Sequence, residues 1–339
     1  MSTPVLHRAA TAVFGLALLA TSGSAALAQK KYDTGASDTE IKIGNIVPYS
    51  GPASAYGVVG KAMTAVFKKV NDDGGINGRK INFISYDDAY SPPKTVEQAR
   101  KLVESDEVLM IFNSLGTPPN SAIQKYMNQK KVPQLFVATG ATKWNDPKEY
   151  PWTMGWQPNY QSESIIYAKY ILKNKPDARI AVLYQNDDYG KDYLKGFKDG
   201  LGAKAASMIV AEDSYEVTEP TIDSHIVRLK ASGADVFFNI TTPKFAAQAI
   251  KKIAELGWQP AHYIGNNASS AGSTLKAAGF DVSKGIISSA YLKDPVDAAW
   301  DSDPAIQKWR AFLDKYDPTA AKNDIYAVTG YLTSQILVQ

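Results

Sequence analysis

The chain has 339 residues, 45% of them hydrophobic and 21% charged, which is too long for one typical core and suits two α/β lobes. A formal charge of +3 is small for this size and gives no support for nucleic-acid binding, which would need a concentrated basic face. With no cysteine, the chain has no disulfide, thiolate metal site, cysteine nucleophile or lipid-modified N-terminal cysteine.

The first 28 residues read as a secretory signal. His7 and Arg8 precede an apolar run over 9–20, and Ala26-Leu27-Ala28 places small residues before Gln29. The run is shorter than the ~20 apolar residues a membrane span needs. Export with cleavage and without a lipid anchor points to the periplasm of a bacterium with two membranes.

The fold opens on Ile41-Lys42-Ile43-Gly44-Asn45-Ile46-Val47, an alternating β-branched strand. A Pro/Ser/Gly loop runs to Tyr56-Gly57, and Val59, Ala62, Met63, Val66 and Val70 then mark one face of a helix. The run Asn71 to Gly78 stops it. A strand is expected at 81–86, closed by Asp87-Asp88, and a helix at 94–105 behind Pro92-Pro93. The apolar run 108–112 reads as a strand covered on both faces. A helix at 120–129 and a strand at 132–137 follow.

Residues 150–160 are aromatic and rich in Pro and Gly, and are read as a first crossing between lobes. The second lobe repeats the plan. Its strands are expected at 179–185, 205–210, 234–240 and 262–265, and its helices at 161–173, 190–201, 221–231, 243–256 and 271–278. A strand at 285–292 is read as the return crossing, followed by helices at 303–316 and 323–338. The chain ends inside an apolar helical pattern, which reads as truncation. Each half places a Tyr-Gly pair, Tyr56-Gly57 and Tyr189-Gly190, at the start of a helix after its first strand. Strand–helix alternation argues for two doubly wound parallel sheets with ligand loops at the carboxyl ends of the strands.

Catalytic signatures are missing. The glycines 44, 51, 57 and 60 lack the G-x-G-x-x-G spacing, and there is no P-loop. His225 and His262 have no plausible triad order. Asp87-Asp88 and Asp187-Asp188 fit turn or cap roles better than a metal site, because adjacent carboxylates in extended chain point apart.

Taken in order, Ile43-Gly44 to Ser50-Gly51-Pro52, Tyr56-Gly57, Asn71 to Gly78, Tyr86-Asp87-Asp88, Asp187-Asp188-Tyr189-Gly190 and Leu229 to Asp235 resemble the type I periplasmic binding proteins of ABC importers, in their leucine/isoleucine/valine branch. The resemblance covers almost all of the chain after the signal. It implies two Rossmann-like lobes, the first from 38–157 and 288–339 and the second from 158–287, joined by crossing strands that act as hinges. It implies a small carboxylate ligand in the cleft, closure read by permease subunits in the inner membrane, no catalysis, no cofactor, and a monomer. A sensory module on the same fold, passing its signal to a receptor, is the competing class.

The family positions for the ligand carboxylate fall on Ser114-Leu115-Gly116-Thr117 and on the loop Ala138-Thr139-Gly140-Ala141-Thr142. Helix N-terminal N–H groups and short hydroxyls hold an anion without a countercharge. Thr139 and Thr142 compete for the hydroxyl role in the second loop. Tyr56, Tyr189 and Tyr326 match aromatic positions that line the cleft. Amino-acid-binding members place a glutamate against the ligand's ammonium, where this chain has Asn267, and a family tyrosine is replaced by Thr242. Another acid serves, or the ligand carries no ammonium, which opens aromatic, keto and other organic acids beside the branched-chain amino acids.

Overall fold

The computed structural model describes Met1 and residues 31–339, so apart from Met1 the expected signal segment lies outside the described residues. The first sheet is built from β1 (Glu40–Val47), β2 (Lys80–Asp87), β3 (Met110–Phe112), β4 (Gln134–Val137) and β5 (Thr153–Gly155), all parallel, in the order β2-β1-β3-β4-β5. Its connections are α1 (Gly57–Asp72), α2 (Pro92–Arg100) and α3 (Thr117–Lys130). The helix expected to 105 changes to a wider turn over Lys101–Ser105.

After α4 (Tyr160–Asn174), the second sheet takes β6 (Ile180–Gln185), then α5 (Asp188–Leu201), the short α6 (Ala205–Met208) and β7 (Ile209–Tyr215). It continues through α7 (Asp223–Ala231), β8 (Val236–Ile240), α8 (Pro243–Glu255), β9 (Ala261–Ile264), α9 (Lys276–Ala278) and β10 (Ile287–Ser288). The order is β10-β9-β8-β6-β7. Each sheet starts on its second strand from one edge, adds the next strand outside, then reverses. The reversal leaves a crevice at the carboxyl ends of β1/β3 and of β6/β8, where such sheets bind ligands.

Three expectations are corrected. The strand expected at 205–210 is displaced: 205–208 is helical and β7 runs on through Glu212 and Asp213. β7 is the sheet edge, where charged side chains reach solvent and discourage further pairing, so its pattern is not that of a buried strand. Of 285–292, only Ile287 and Ser288 pair with β9. Within 150–160, read only as a crossing, Thr153–Gly155 is an edge strand of the first sheet.

The last two helices, α10 (Pro304–Tyr316) and α11 (Ile325–Val338), pack on α1. Trp309, Phe312, Leu313, Val328 and Tyr331 close there on Ala62 and Val66. In the second lobe, Tyr167 and Ile171 of α4 and Tyr193 and Phe197 of α5 cover Val182 and Phe238 of the sheet. Trp156, leaving the first lobe, and Tyr291, on the return segment, meet edge to face at 6.3 Å between ring centroids.

Candidate functional site

A cavity of about 290 Å³ lies between the two sheets' carboxyl ends, walled by residues from both lobes. Its first-lobe wall begins with the loop after β1. Asp87, at the end of β2, accepts N–H groups of Tyr49, Ser50 and Ala89 and the Ser50 hydroxyl. Burial works against its charge, but these donors hold its carboxyl below the ordinary 3.8. That clamp fixes the loop leading to Tyr56. Asp88 faces the other way, accepting Tyr90 N–H at 2.8 Å and the Thr95 hydroxyl at 2.7 Å. Both carboxylates therefore serve a turn. Ala89 and Tyr90 take left-handed backbone there (φ 52° and 60°), which costs roughly 1–2 kcal/mol per residue. The turn seats the Tyr90 ring on the cavity wall over Gly116. A Cβ at Gly116 would lie 2.5 Å from Tyr90 Cε2, and its φ of +104° is a second reason for glycine.

Gly116 starts α3, which has no side-chain cap. Pro118 and Pro119 carry no N–H, so Thr117 supplies the one backbone donor of the first three helical positions. Thr117 Oγ1 lies 2.6 Å from Thr139 Oγ1. Ser114 is not on the cavity wall. Its hydroxyl donates to Asn120, whose amide returns bonds to the Ser114 and Gly116 carbonyls at 2.8 and 2.9 Å, and Gln134 completes the knot. Ser114 thus braces the loop from below. Thr139 stands behind Thr117, and the Gly140 carbonyl takes Tyr160 N–H at 2.8 Å. Thr142 is away at the exposed rim, where its N–H and hydroxyl bind Asp192 of α5 at 2.9 and 3.0 Å. Of the two competing threonines, Thr139 is the one set beside Thr117. Leu115, Gly116, Thr117 and Ala138 are on the wall; Ser114, Thr139, Gly140 and Thr142 are not.

From the second lobe, Asp187 caps α5 by accepting Tyr189 and Gly190 N–H at 2.9 and 3.2 Å. Burial pushes its carboxyl up to about 6. The cap aims Tyr189 into the cavity, where its hydroxyl donates to the Thr241 carbonyl at 3.1 Å. Thr242 reaches the wall, but its hydroxyl lies 3.3 Å from Gln185 Oε1 and its N–H bonds Tyr215 Oη.

Asn267, in the turn Asn266–Ala268 after β9, is the meeting point. Its backbone carbonyl accepts the Tyr56 hydroxyl at 2.8 Å and the Tyr326 hydroxyl at 2.7 Å. Its amide donates to Tyr189 Oη at 2.9 Å and Tyr56 Oη at 3.2 Å. The three expected tyrosines therefore converge on the expected asparagine, Tyr56 and Tyr326 from across the cleft and Tyr189 from the same lobe. Burial raises the pKa of all three phenols, so they are neutral donors.

Four wall tyrosines and asparagines escaped the sequence reading: Tyr90, Tyr160, Asn266 and Tyr291. So did Glu163 behind the wall. It takes Asn266 N–H at 2.9 Å, the Ser289 hydroxyl at 2.8 Å, and Tyr167 and Tyr193 hydroxyls at 3.1 and 2.6 Å. Burial raises its pKa while these donors oppose the rise. It ties the start of α4, the return segment and the Asn267 turn together. A lone acid in the first turn of a helix carries no sign of this, since such acids are common there for dipole reasons. Among the described residues, no group of three or more His, Asp or Glu is arranged to hold a metal.

A family model described as periplasmic binding protein matches residues 40–339. The chain is 28% identical over 313 residues to Leu/Ile/Val-binding protein homolog 1 of Brucella abortus, across 90% of this chain and 79% of that protein. In fold it is similar to a fatty acid ABC transporter substrate-binding protein from Thermomonospora curvata (TM-score 0.76, 22% identity, 91% of this chain and 77% of that one). It is also similar to a branched-chain amino acid transporter substrate-binding protein from Streptococcus pneumoniae in complex with isoleucine (TM-score 0.72, 19% identity, 88% of this chain and 83% of that one). Those two proteins are described with chemically different solutes on one fold, so the fold leaves the solute open.

Proposed function

The chain belongs to the periplasmic binding protein family, a family of solute-binding proteins, and on that premise we propose that it is the extracytoplasmic solute-binding component of an ABC importer. It takes a small carboxylate, a branched-chain amino acid or a related acid, between its lobes and delivers it to permease subunits in the inner membrane. It works as a monomer in the periplasm, after removal of a signal peptide, and performs no chemistry on its cargo. The relatives named for Leu, Ile and Val support the cargo class. The observation that carries the reading is the cavity walled by both lobes and bridged by Tyr56 and Tyr326 on Asn267, a contact made only when the lobes are together.

In this reading the carboxylate meets Gly116 and Thr117 at the start of α3, with Thr139 orienting the Thr117 hydroxyl. Tyr56, Tyr189 and Tyr326 cover the rest of the ligand. The crossings, near Trp156 and Tyr291, are the hinges. Native mass spectrometry of the full-length protein tests it. A small acid should be released intact on denaturation, and adding it back at a hundredfold excess over Kd should stabilise the protein by roughly 2.7 kcal/mol. Conversion of that acid by the purified protein would refute the carrier reading.

A further inference from the structure

Resting on that reading, we propose that the solute is an amine-free monocarboxylate with an extended apolar body, of which an arylalkanoate is the best-fitting class. The polar groups that an α-amino acid would need on the second-lobe side are already engaged. Both side-chain amide hydrogens of Asn267 go to tyrosine oxygens, at 2.9 and 3.2 Å, its backbone carbonyl accepts the Tyr56 and Tyr326 hydroxyls, and its Oδ1 faces the Tyr189 and Tyr193 hydroxyls at 3.3 and 3.4 Å. Tyr189 gives its own proton to the Thr241 carbonyl. Tyr56, Tyr189 and Tyr326 therefore present rings rather than free oxygens to the cavity. Asn267 acts as a latch between lobes rather than as a partner for an ammonium, and a buried ammonium without an acceptor is strongly disfavoured.

Glu163 does not fill the gap. It stands behind Asn266 at 4% exposure, and its oxygens already accept from Tyr167, Tyr193, Asn266 and Ser289. The acid that does reach the wall is Asp294 of the return segment, which accepts Val296 N–H at 3.1 Å; among the described residues it is the one carboxylate on the wall that could take an ammonium, a role that Asp294→Asn tests. It contributes repulsion toward a second carboxylate, and no Lys or Arg lines the cavity to offset one. That limits the solute to one carboxylate, held by the Thr117 end.

Val59, Leu115, Leu275, Ile286, Leu292 and Ile325 join the tyrosines as the apolar part of the wall, with Gln157, Thr329 and the hydroxyl-bearing Ser269, Ser283, Ser288 and Ser289 set among them. The cavity of about 290 Å³ is roughly twice the ~150 Å³ dry cavity that holds benzene. An isobutyl side chain would leave much of it unfilled. An aryl ring on a short chain fills it and gains ring contacts with the Tyr56–Tyr326 pair, whose centroids are 5.0 Å apart.

The experiment is calorimetric titration of the full-length protein, stripped of solute by unfolding and refolding, with two matched pairs: leucine against 4-methylpentanoate, and phenylalanine against 3-phenylpropanoate. The alcohol 3-phenylpropan-1-ol serves as the probe without a carboxylate. Each amine-free acid should bind at least tenfold tighter than its amino acid, about 1.4 kcal/mol, with 3-phenylpropanoate tightest and the alcohol at least tenfold weaker than it. An amino acid that equals or outbinds its amine-free partner overturns the inference but leaves the carboxylate reading standing, and loss of that preference in Asp294→Asn would place the ammonium on Asp294. An alcohol that binds as tightly as the acid, or no binding by any of the five, overturns the carboxylate reading itself.

Discussion

The two Tyr-Gly pairs, one in each lobe, are alike in sequence and unlike in construction. Tyr56 leads into α1 through a short 3-10 turn with no side-chain cap. Tyr189 begins α5 under the Asp187 cap. Tyr56 reaches across the cleft to Asn267, whereas Tyr189 holds Thr241 and Asn267 of its own lobe. A Cβ on Gly57 would touch the Tyr49 ring at 3.1 Å, but one on Gly190 would lie 2.0 Å from the Gln185 carbonyl oxygen. The second-lobe pair is a rigid floor pressed on the end of β6. The first-lobe pair carries a contact across the cleft.

One methyl group added to each pair should separate them most clearly. Gly190→Ala drives a Cβ into backbone that cannot turn aside, and should destabilise the protein by about 3 kcal/mol. Gly57→Ala meets the Tyr49 ring at 3.1 Å and backbone at Tyr49 Cα and Pro48 O at 3.2 and 3.3 Å, contacts that a shift of a few tenths of an ångström relieves, and it gains helix propensity, so it should stay within about 1 kcal/mol of the parent. Urea melts of the two variants decide this, and equal losses would mean that the two helix starts are built alike.

Acid should separate the lobes next. His262 of β9 is buried, its pKa pulled down to about 3, and Asn239 Nδ2 lies 3.1 Å from its Nε2, so the ring is a neutral acceptor. Because the folded pKa is below the ordinary 6.5, the unfolded chain takes up a proton that the folded one refuses. Stability is therefore lost as pH falls below 6.5, by about 2 kcal/mol at pH 5 from this group. Asp87 of the first lobe has a depressed carboxyl and loses its contribution only as pH falls below about 3.8. Melts at pH 7.5 and pH 5 should show a smaller acid loss in His262→Gln than in the parent; an identical loss would remove His262 as the cause.

The smallest effect distinguishes the hydroxyls. Tyr56→Phe should weaken 3-phenylpropanoate binding by about 1 kcal/mol and leave the solute-free melt unchanged, because its bond belongs to the closed form. Tyr189→Phe should lower the solute-free melt by a similar amount, since it strips the Thr241 carbonyl and the Asn267 amide of a partner. A Tyr56→Phe variant with a lowered solute-free melt would show that the lobes stay together without solute.

Much of the fold was legible because period-2 and period-3.6 patterns are local. The strand at 41–47, the helix behind it and their counterparts at 179–201 lie within a residue or two of β1, α1, β6 and α5. The pattern failed at β7, where Glu212 and Asp213 are tolerated because the strand is an edge, and at 285–292, where only two residues find a partner. Of the site, the residue types were legible and the facing was not. Ser114 and Thr139 have the hydroxyls an anion site uses, yet Asn120 and Thr117 claim them. Tyr90 follows a turn like any other and reaches the wall only through two left-handed residues.

Two parallel α/β lobes and the absence of thiol chemistry can be read along the chain, because composition and periodicity are properties of neighbouring residues; the tyrosines and asparagine of the cleft are implied only by the family resemblance. Folding in three dimensions settles the rest: Asn267 is held by four tyrosines from distant segments, Glu163 is buried behind Asn266, and the cavity offers rings to whatever it holds. Hydrogen-bond capacity is spent between residues 59 to 211 positions apart, and which donor reaches an acceptor first is set by packing rather than by spacing in the chain.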